Sequence, residues 1–125
     1  MANTDKRTVT EQVYDKLKEA EFDVYVPGQH KGDCTSEYVV VQDAGNVNTT
    51  NLRVKTKTFN ILCYVPSGRY FDLEYFTEKV IDTLRELYPM IIETGNENPP
   101  YFDESVNGWM TSIEYENYRQ IKYFE

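Results

Sequence analysis

A chain of 125 residues is long enough for one hydrophobic core and too short for two comfortable ones, so we expect a single domain spanning residues 1–125. The formal net charge of -8 and the pI near 4.7 argue against duplex DNA or an acidic membrane surface as a direct ligand, because phosphate binding depends on clustered Lys and Arg. Aromatic residues make up 14% of the chain, more than a core of this size is expected to hide. Surplus tyrosine at a surface favours protein contacts, and tyrosine in ordinary half-buried strands is an equal alternative.

The N-terminal part predicts a capped helix and a short strand. Thr8 and Glu11 have capping-box spacing, and the apolar residues that follow share one side of a helix from about residue 9 to 20. We expect the residues before it, about 1–7, to be flexible. Residues 22–26 alternate in polarity and end at a Pro-Gly turn, which predicts a strand.

The middle of the chain predicts two strands joined by an arm. Residues 38–41 are mostly β-branched, as in a buried strand, whereas about 43–55 are rich in turn formers and are predicted to be a mobile arm. From Arg53 to Val65 the side chains alternate, and one face begins basic and becomes apolar halfway along. The residues of that face are Arg53, Lys55, Lys57, Phe59, Ile61, Cys63 and Val65.

A second helix is predicted over about 70–87, with an apolar stripe on one side and an acidic row on the other. The stripe comprises Leu73, Phe76, Thr77, Val80, Leu84 and Leu87. The row, at four-residue spacing, comprises Glu74, Glu78, Asp82 and Glu86. Such a row is either a solvated face or a surface that meets a basic partner, and both interpretations stay open.

The C-terminal part predicts two more strands. Pro89 ends the second helix, residues 90–93 form a strand, and a loop through Pro99 and Pro100 leads to a last strand over about 109–118. The element order is therefore α-β-β-β-α-β-β. This order predicts an α+β fold in which two helices pack on one face of a mostly antiparallel sheet of about five strands.

Catalytic signals are weak throughout. The single histidine, His30, has no motif partner and is predicted to be a surface loop residue, and the common phosphate, dinucleotide, zinc and hydrolase motifs do not occur. Acidic side chains surround the loop near residues 93–104, but they lack the defined spacing of a divalent metal site. Cys34 and Cys63 are predicted to be free thiols. We therefore predict no enzyme, no metal and no cofactor.

Five features together resemble the tail terminator proteins of long-tailed bacteriophages and phage-tail-like particles. They are the capped first helix, the polar loop before the Arg53 to Val65 strand, the amphipathic helix ending Leu87-Tyr88-Pro89, the Thr-Gly-Asn-Glu-Asn-Pro-Pro-Tyr-Phe-Asp loop, and the closing Met-Thr-Ser-Ile-Glu-Tyr-Glu-Asn-Tyr-Arg strand. The likeness covers nearly the whole chain and is one of pattern and order. It implies a small α+β virion protein of the neck, in a full phage or in a contractile tail particle without a head.

The resemblance also implies a mode of action. Six copies would form a ring that caps the tail tube, stops tail polymerisation and offers a surface for head joining. The expected partners are other copies of the chain, the tail tube, the sheath as a further candidate, and a head connector or collar protein. DNA would pass through an acidic pore as unbound cargo. No apolar run approaches the roughly 20 residues of a membrane span, so we expect assembly in the bacterial host cytoplasm before incorporation into the particle.

Two groups of residues are predicted to carry the protein contacts. In a ring, the basic strand face could meet the acidic helix row of a neighbour, which gives head-to-tail charge complementarity. The stiff segment Pro99, Pro100, Tyr101 and Phe102, with Trp109 nearby, is either a contact surface or a lid over the sheet edge. The alternatives for the whole protein are another head-tail connector or tail completion protein, and a small acidic inhibitor or enzyme.

Overall fold

The described residues form an α+β fold in which two helices pack on one face of a six-stranded sheet. The computed structural model describes residues 7–48 and 54–120, with the backbone alone described at 44–48, 54–56 and 118–120. The predicted fold class and arrangement are confirmed, and one short strand, β5, is additional. In chain order the elements are α1 (Val9–Glu19), β1 (Val24–Tyr25), β2 (Tyr38–Asn48), β3 (Val54–Pro66), α2 (Asp72–Arg85), β4 (Ile92–Glu97), β5 (Tyr101–Asp103) and β6 (Gly108–Gln120).

The sheet has the strand order β1-β2-β3-β6-β4, and β5 pairs with the start of β6 beside β4. β1 runs parallel to β2, and every other pairing is antiparallel. β3 and β6 pair over their full length, from Val54 opposite Gln120 to Pro66 opposite Gly108. The sheet centre is therefore a long two-stranded unit, flanked by β2 on one side and by the shorter β4 and β5 on the other.

The first helix begins where its sequence predicts. The Thr8 hydroxyl accepts a hydrogen bond from the Glu11 amide at 3.1 Å, and the Thr8 amide donates to the Glu11 carboxylate at 3.2 Å. This capping box satisfies amide groups that a helix end otherwise leaves without partners. α2 has no such side-chain cap at Phe71. Neither helix in the described ranges has the length and apolar character that a membrane span requires.

The core lies between the helices and one face of the sheet. Alternation in β3 places Phe59, Ile61, Cys63 and Val65 on this face, and all four are buried. The helices contribute apolar residues at three- and four-residue spacing, and burial of each large side chain stabilises the fold by roughly 1.5–3 kcal/mol. The buried helical residues are Val13, Leu17, Leu73, Phe76, Val80 and Leu84.

The opposite face of the sheet is partly covered by loops. Cys34 is buried there beside Tyr38, Val40 and Tyr64, and its amide donates to the Val106 carbonyl at 2.6 Å. A Cβ atom at Gly108 would approach the Cβ of Cys34 to 2.8 Å, so the absence of a side chain at residue 108 permits this packing. Both cysteines are free thiols, as predicted.

Several predicted element bounds were wrong. β2 continues to Asn48 and pairs with β3 from Lys55 onward, so the described part of the predicted arm is a paired ribbon; residues 49–53 lie outside the described residues. β4 begins two residues later than predicted and extends to Glu97, with a register irregularity after Glu93. Pairing with a longer strand decides both outcomes, with β3 for β2 and with β6 for β4, because turn-forming residues can join a ladder when a long neighbour supplies partners.

Candidate functional site

The predicted basic strand face is only partly described. Arg53 lies outside the described residues, and Lys55 is placed in β3 by its backbone alone. Lys57 is described fully: its ammonium lies 2.5 Å from the Asp43 carboxylate on β2, and its side chain is 13% exposed. Lys57 therefore already has an ion partner within its own chain.

The acidic row of α2 is exposed along its whole length, but its members differ in their contacts. Glu86 accepts a hydrogen bond from Lys16 of α1 at 2.7 Å, and this bond raises the pKa of Lys16. Asp82 accepts from Arg85 at 3.2 Å. Within the described part of the chain, no hydrogen bond or ion pair reaches the carboxylates of Glu74 and Glu78. The first half of the row is thus the part whose charge is available to a partner.

Glu74 and Glu78 line a cleft that the sequence did not predict. This cleft, which we term the α2 cleft, has a volume of about 650 Å³ and lies between α2 and the segment joining β4 to β5. Its first wall is a helical stripe at spacings of three and four residues. That stripe comprises Phe71, Glu74, Glu78, Ile81 and Arg85. Its second wall comprises Glu93, Glu97, Asn98, Pro99 and Pro100.

The second wall is fixed to the sheet just before its two prolines. The Asn98 amide donates to the Ser112 carbonyl at 3.1 Å, and the Asn98 carbonyl accepts from the Thr111 hydroxyl at 2.5 Å. Each proline locks its own backbone torsion and restricts the residue before it. The cleft is therefore largely formed in advance, which lowers the ordering cost of binding there.

Aromatic rings extend from the cleft onto the sheet. Trp109 is half-buried, with the Tyr70 ring 4.7 Å and the Phe102 ring 5.3 Å from it, both edge-on. Phe71 in turn lies 5.6 Å from Tyr70 and is 84% exposed. Tyr75, one helical turn further, is 73% exposed. Ring contacts thus connect Phe71, Tyr70, Trp109 and Phe102, and Phe71 and Tyr75 face solvent at the outer end of this group.

The structure divides the predicted Pro-Pro-Tyr-Phe segment between its two interpretations. Pro99 and Pro100 are exposed at the cleft, and Tyr101 is 54% exposed. Phe102 instead packs on Trp109 as a lid. Alternation within β5 explains the difference, because consecutive side chains of a strand point to opposite faces. The sequence predicted one role for the whole segment, because it does not show which side of the sheet each residue faces.

His30 is not the surface loop residue that the sequence predicted. Its ring is half-buried and stacks on Tyr38 at 4.0 Å, and Tyr38 stacks on Tyr64 at 4.6 Å. Tyr25 meets the His30 ring edge-on at 5.1 Å. Tyr25 precedes His30 and Tyr38 follows it, and the strands that carry these tyrosines, β1 and β2, are adjacent in the sheet. The sequence signal is weak, because it shows the aromatic residues and not the adjacency of their strands. This stack packs the loop onto the sheet.

The buried thiols are poor nucleophiles. Burial raises the pKa of Cys34 to about 11 and that of Cys63 to about 12, although contact with the Thr77 hydroxyl opposes the second shift. Among the acids near residues 93–104, Glu93 accepts a hydrogen bond from Arg85 and Asp103 accepts from Ser105. Within the described ranges no group of three or more His, Cys, Asp or Glu side chains is placed to hold a metal ion.

No protein-family model matches the chain, and no curated protein matches it.

Proposed function

We propose that this protein is a structural component of a phage or phage-like tail, in which a ring of copies caps the tail tube and stops its growth. The observation that carries the proposal is the solvent-facing aromatic surface beside the α2 cleft. Phe71 at the start of α2 and Tyr75 one helical turn later leave large apolar areas in water, and exposed aromatics close together are typical of protein interfaces. A protein that acts by assembly needs such a surface.

The charge distribution supports the same proposal. The free carboxylates of Glu74 and Glu78 adjoin the aromatic patch, so the surface has an apolar part and an acidic part. Complementary charge fixes the register and orientation of subunits. An excess of negative charge over the whole chain also suits a conduit for DNA, because it repels phosphates.

The sheet offers a second means of association. β1 pairs only with Val39 and Val40, so within the described residues the outer edge of β2 continues past them without a partner strand. Unpaired strand edges are common sites for the addition of a strand from another chain. Two distinct surfaces on one subunit are what a head-to-tail ring requires.

The predicted basic-to-acidic pairing between neighbours is retained in a narrower form. Lys57 is held by Asp43 and Glu86 by Lys16, so the contact would involve Lys55 and Arg53 on one subunit and Glu74 and Glu78 on the next. Charge reversal at Lys55 should weaken ring formation and reduce its dependence on salt. The matched control is Lys18→Glu, which makes the same charge change at an exposed residue of α1. If the two variants weaken ring formation and its salt dependence equally, the proposed pairing of the basic and acidic residues is wrong.

The proposed function itself is tested in the particle. Deleting the gene should give tails of irregular length that fail to join heads or, in a headless particle, fail to kill. Restoring the wild-type gene should restore uniform length. Uniform tails without the gene would contradict the proposal. Tails of normal length that fail only in head joining would favour a different neck protein.

A further inference from the structure

The α2 cleft already holds one guanidinium group at one end. Arg85 on α2 donates from Nε to the Glu93 carboxylate at 3.3 Å, and this bond spans the two walls. Its Nη1 donates to Asp82 at 3.2 Å. Hydrogen bonding to Glu93 raises the pKa of Arg85 further. The cleft is therefore wide enough for an arginine head group to bridge helix and sheet.

The other end of the cleft has the same acidic chemistry but no cation. Glu78 and Glu74 lie about two and about three helical turns before Arg85 on the same stripe, and Glu97 lies on the facing wall. In the described ranges, no hydrogen bond or ion pair reaches any of these three carboxylates. Carboxylates that line one cleft make its potential negative, and a cation that binds there is attracted to them.

Aromatic and proline surfaces complete this end. Phe71 and Tyr70 line it from the helix side, and Pro99 and Pro100 line it from the sheet side. A guanidinium group is planar, stacks on aromatic faces and pairs with carboxylates through a fixed fork of donors, whereas an ammonium group is a strongly hydrated point charge. Carboxylates beside an exposed ring thus favour arginine over lysine.

The prolines also determine how a partner would approach. Neither Pro99 nor Pro100 has a backbone N–H, so this part of the sheet edge cannot donate the regular hydrogen bonds that an added strand needs. A partner would have to bind through its side chains. We propose that the free end of the α2 cleft binds an arginine side chain presented by an extended segment of a partner protein. This inference rests on the proposed function only in treating the α2 surface as a protein contact.

The test uses a short peptide with leucine-arginine-leucine at its centre and a matched peptide in which citrulline replaces arginine. Citrulline keeps the shape of arginine and lacks its charge. Binding is measured by calorimetry and by the fluorescence of Trp109, the single tryptophan, whose ring contacts Tyr70 of the cleft. We expect the citrulline peptide to bind about tenfold more weakly, and the affinity for the arginine peptide to fall as salt rises.

Substitutions in the α2 cleft test whether the arginine peptide binds there. Glu74→Gln with Glu78→Gln should weaken arginine-peptide binding by about tenfold, and Phe71→Ala should weaken it by roughly threefold through the lost ring contact. The control, Glu19→Gln with Asp33→Asn, makes the same net-charge change on exposed residues outside the cleft and should change binding less than about twofold. All of these positions are exposed, so folding should be retained.

Three results would overturn the inference: equal binding of the two peptides, no binding of the arginine peptide, or an equal loss in the cleft and control variants. None of them bears on ring formation by the wild-type chain. If rings form while the arginine peptide fails to bind, the cleft inference falls and the proposed function stands. If the peptide binds and particles without the gene have normal tails, the cleft inference stands and the proposed function is wrong.

Discussion

The two helices lie on the same face of the sheet yet present different surfaces to solvent. On α1 the two central charged residues are in ion pairs: Asp15 with Arg7 at 2.5 Å and Lys16 with Glu86 at 2.7 Å. On α2 the outward side displays exposed aromatics such as Tyr75, and carboxylates such as Glu74 that have no ion partner within the described residues. Both helices bury an apolar stripe, so folding accounts for their inner sides equally. Folding does not explain the exposed aromatics on the outer side of α2, and this difference is why we propose that side as the contact surface.

The inward positions should show no difference between the helices. Leu17→Ala in α1 and Leu84→Ala in α2 each remove a fully buried side chain, and each should lower the free energy of unfolding by about 2–5 kcal/mol. Urea denaturation measures both. Tyr75→Ser, on the outer side of α2, should change stability by less than about 0.5 kcal/mol. A loss above about 2 kcal/mol in Tyr75→Ser would mean that the outer side of α2 serves folding after all.

The outward positions should separate association from stability. Phe71→Ser with Tyr75→Ser should weaken self-association by at least about tenfold, because exposed aromatics often dominate interface energies. The control is Tyr88→Ser, an exposed tyrosine that lies outside the α2 cleft. Sedimentation velocity over a range of concentrations gives the association constants. Equal association constants for the double variant and the control would mean that self-association does not use the aromatic residues beside the cleft.

Substitutions at the N-cap residues of the two helices should have smaller effects on stability. Thr8→Ala removes the hydroxyl that accepts a hydrogen bond from the Glu11 amide in the capping box of α1, and it should cost about 1 kcal/mol of stability. Phe71→Ala at the start of α2 removes no cap, because Phe71 makes no side-chain capping bond, and should cost less than about 0.5 kcal/mol. Thermal unfolding followed by circular dichroism resolves the two. The reverse order of costs would contradict the structure of the helix ends.

Alkaline pH tests the burial of the tyrosines of the sheet. Burial raises the pKa of Tyr64 to about 12, and burial also raises the pKa of Tyr38 and Tyr115. The native state therefore keeps protons that the unfolded chain releases above about pH 10. Stability from this source is complete below pH 10 and should fall as the pH rises towards 12.

Urea denaturation at pH 8, 10 and 11 measures this loss. Tyr64→Phe removes one titrating hydroxyl and should flatten the decline. A wild-type stability that stays constant between pH 10 and 11 would contradict the assigned burial of these rings.

The sequence predicted the features that local periodicity controls. The capping box at Thr8, the buried stripe of α2 and the alternating faces of β3 and β6 follow from spacings of three to four residues in helices and two in strands. The acidic row was also predicted as exposed. What the sequence missed depends on pairing across the sheet. The ladder between β2 and β3 extends through residues rich in turn formers, and β5 is only three residues long.

The candidate site was predicted in parts. Pro99, Pro100 and Glu74 were each assigned to contact surfaces, but their position on facing walls of one cleft is a tertiary relation that no local pattern contains. The same limit applies to His30, whose stacking on Tyr38 joins a loop to a strand. It also applies to the pairing of Lys57 with Asp43, which is set by the register of β2 and β3. That internal pair removes one cation from the predicted contact between subunits.

We propose that the outer side of α2 joins this chain to other proteins at the end of a tail tube. Negative-stain images of purified tail tubes, mixed with the wild-type chain or with the Phe71→Ser, Tyr75→Ser variant, test it most directly. The account predicts annuli at tube ends with the wild-type chain and bare ends with the folded double variant. Bare ends with both proteins, or annuli of equal frequency with both, would contradict it.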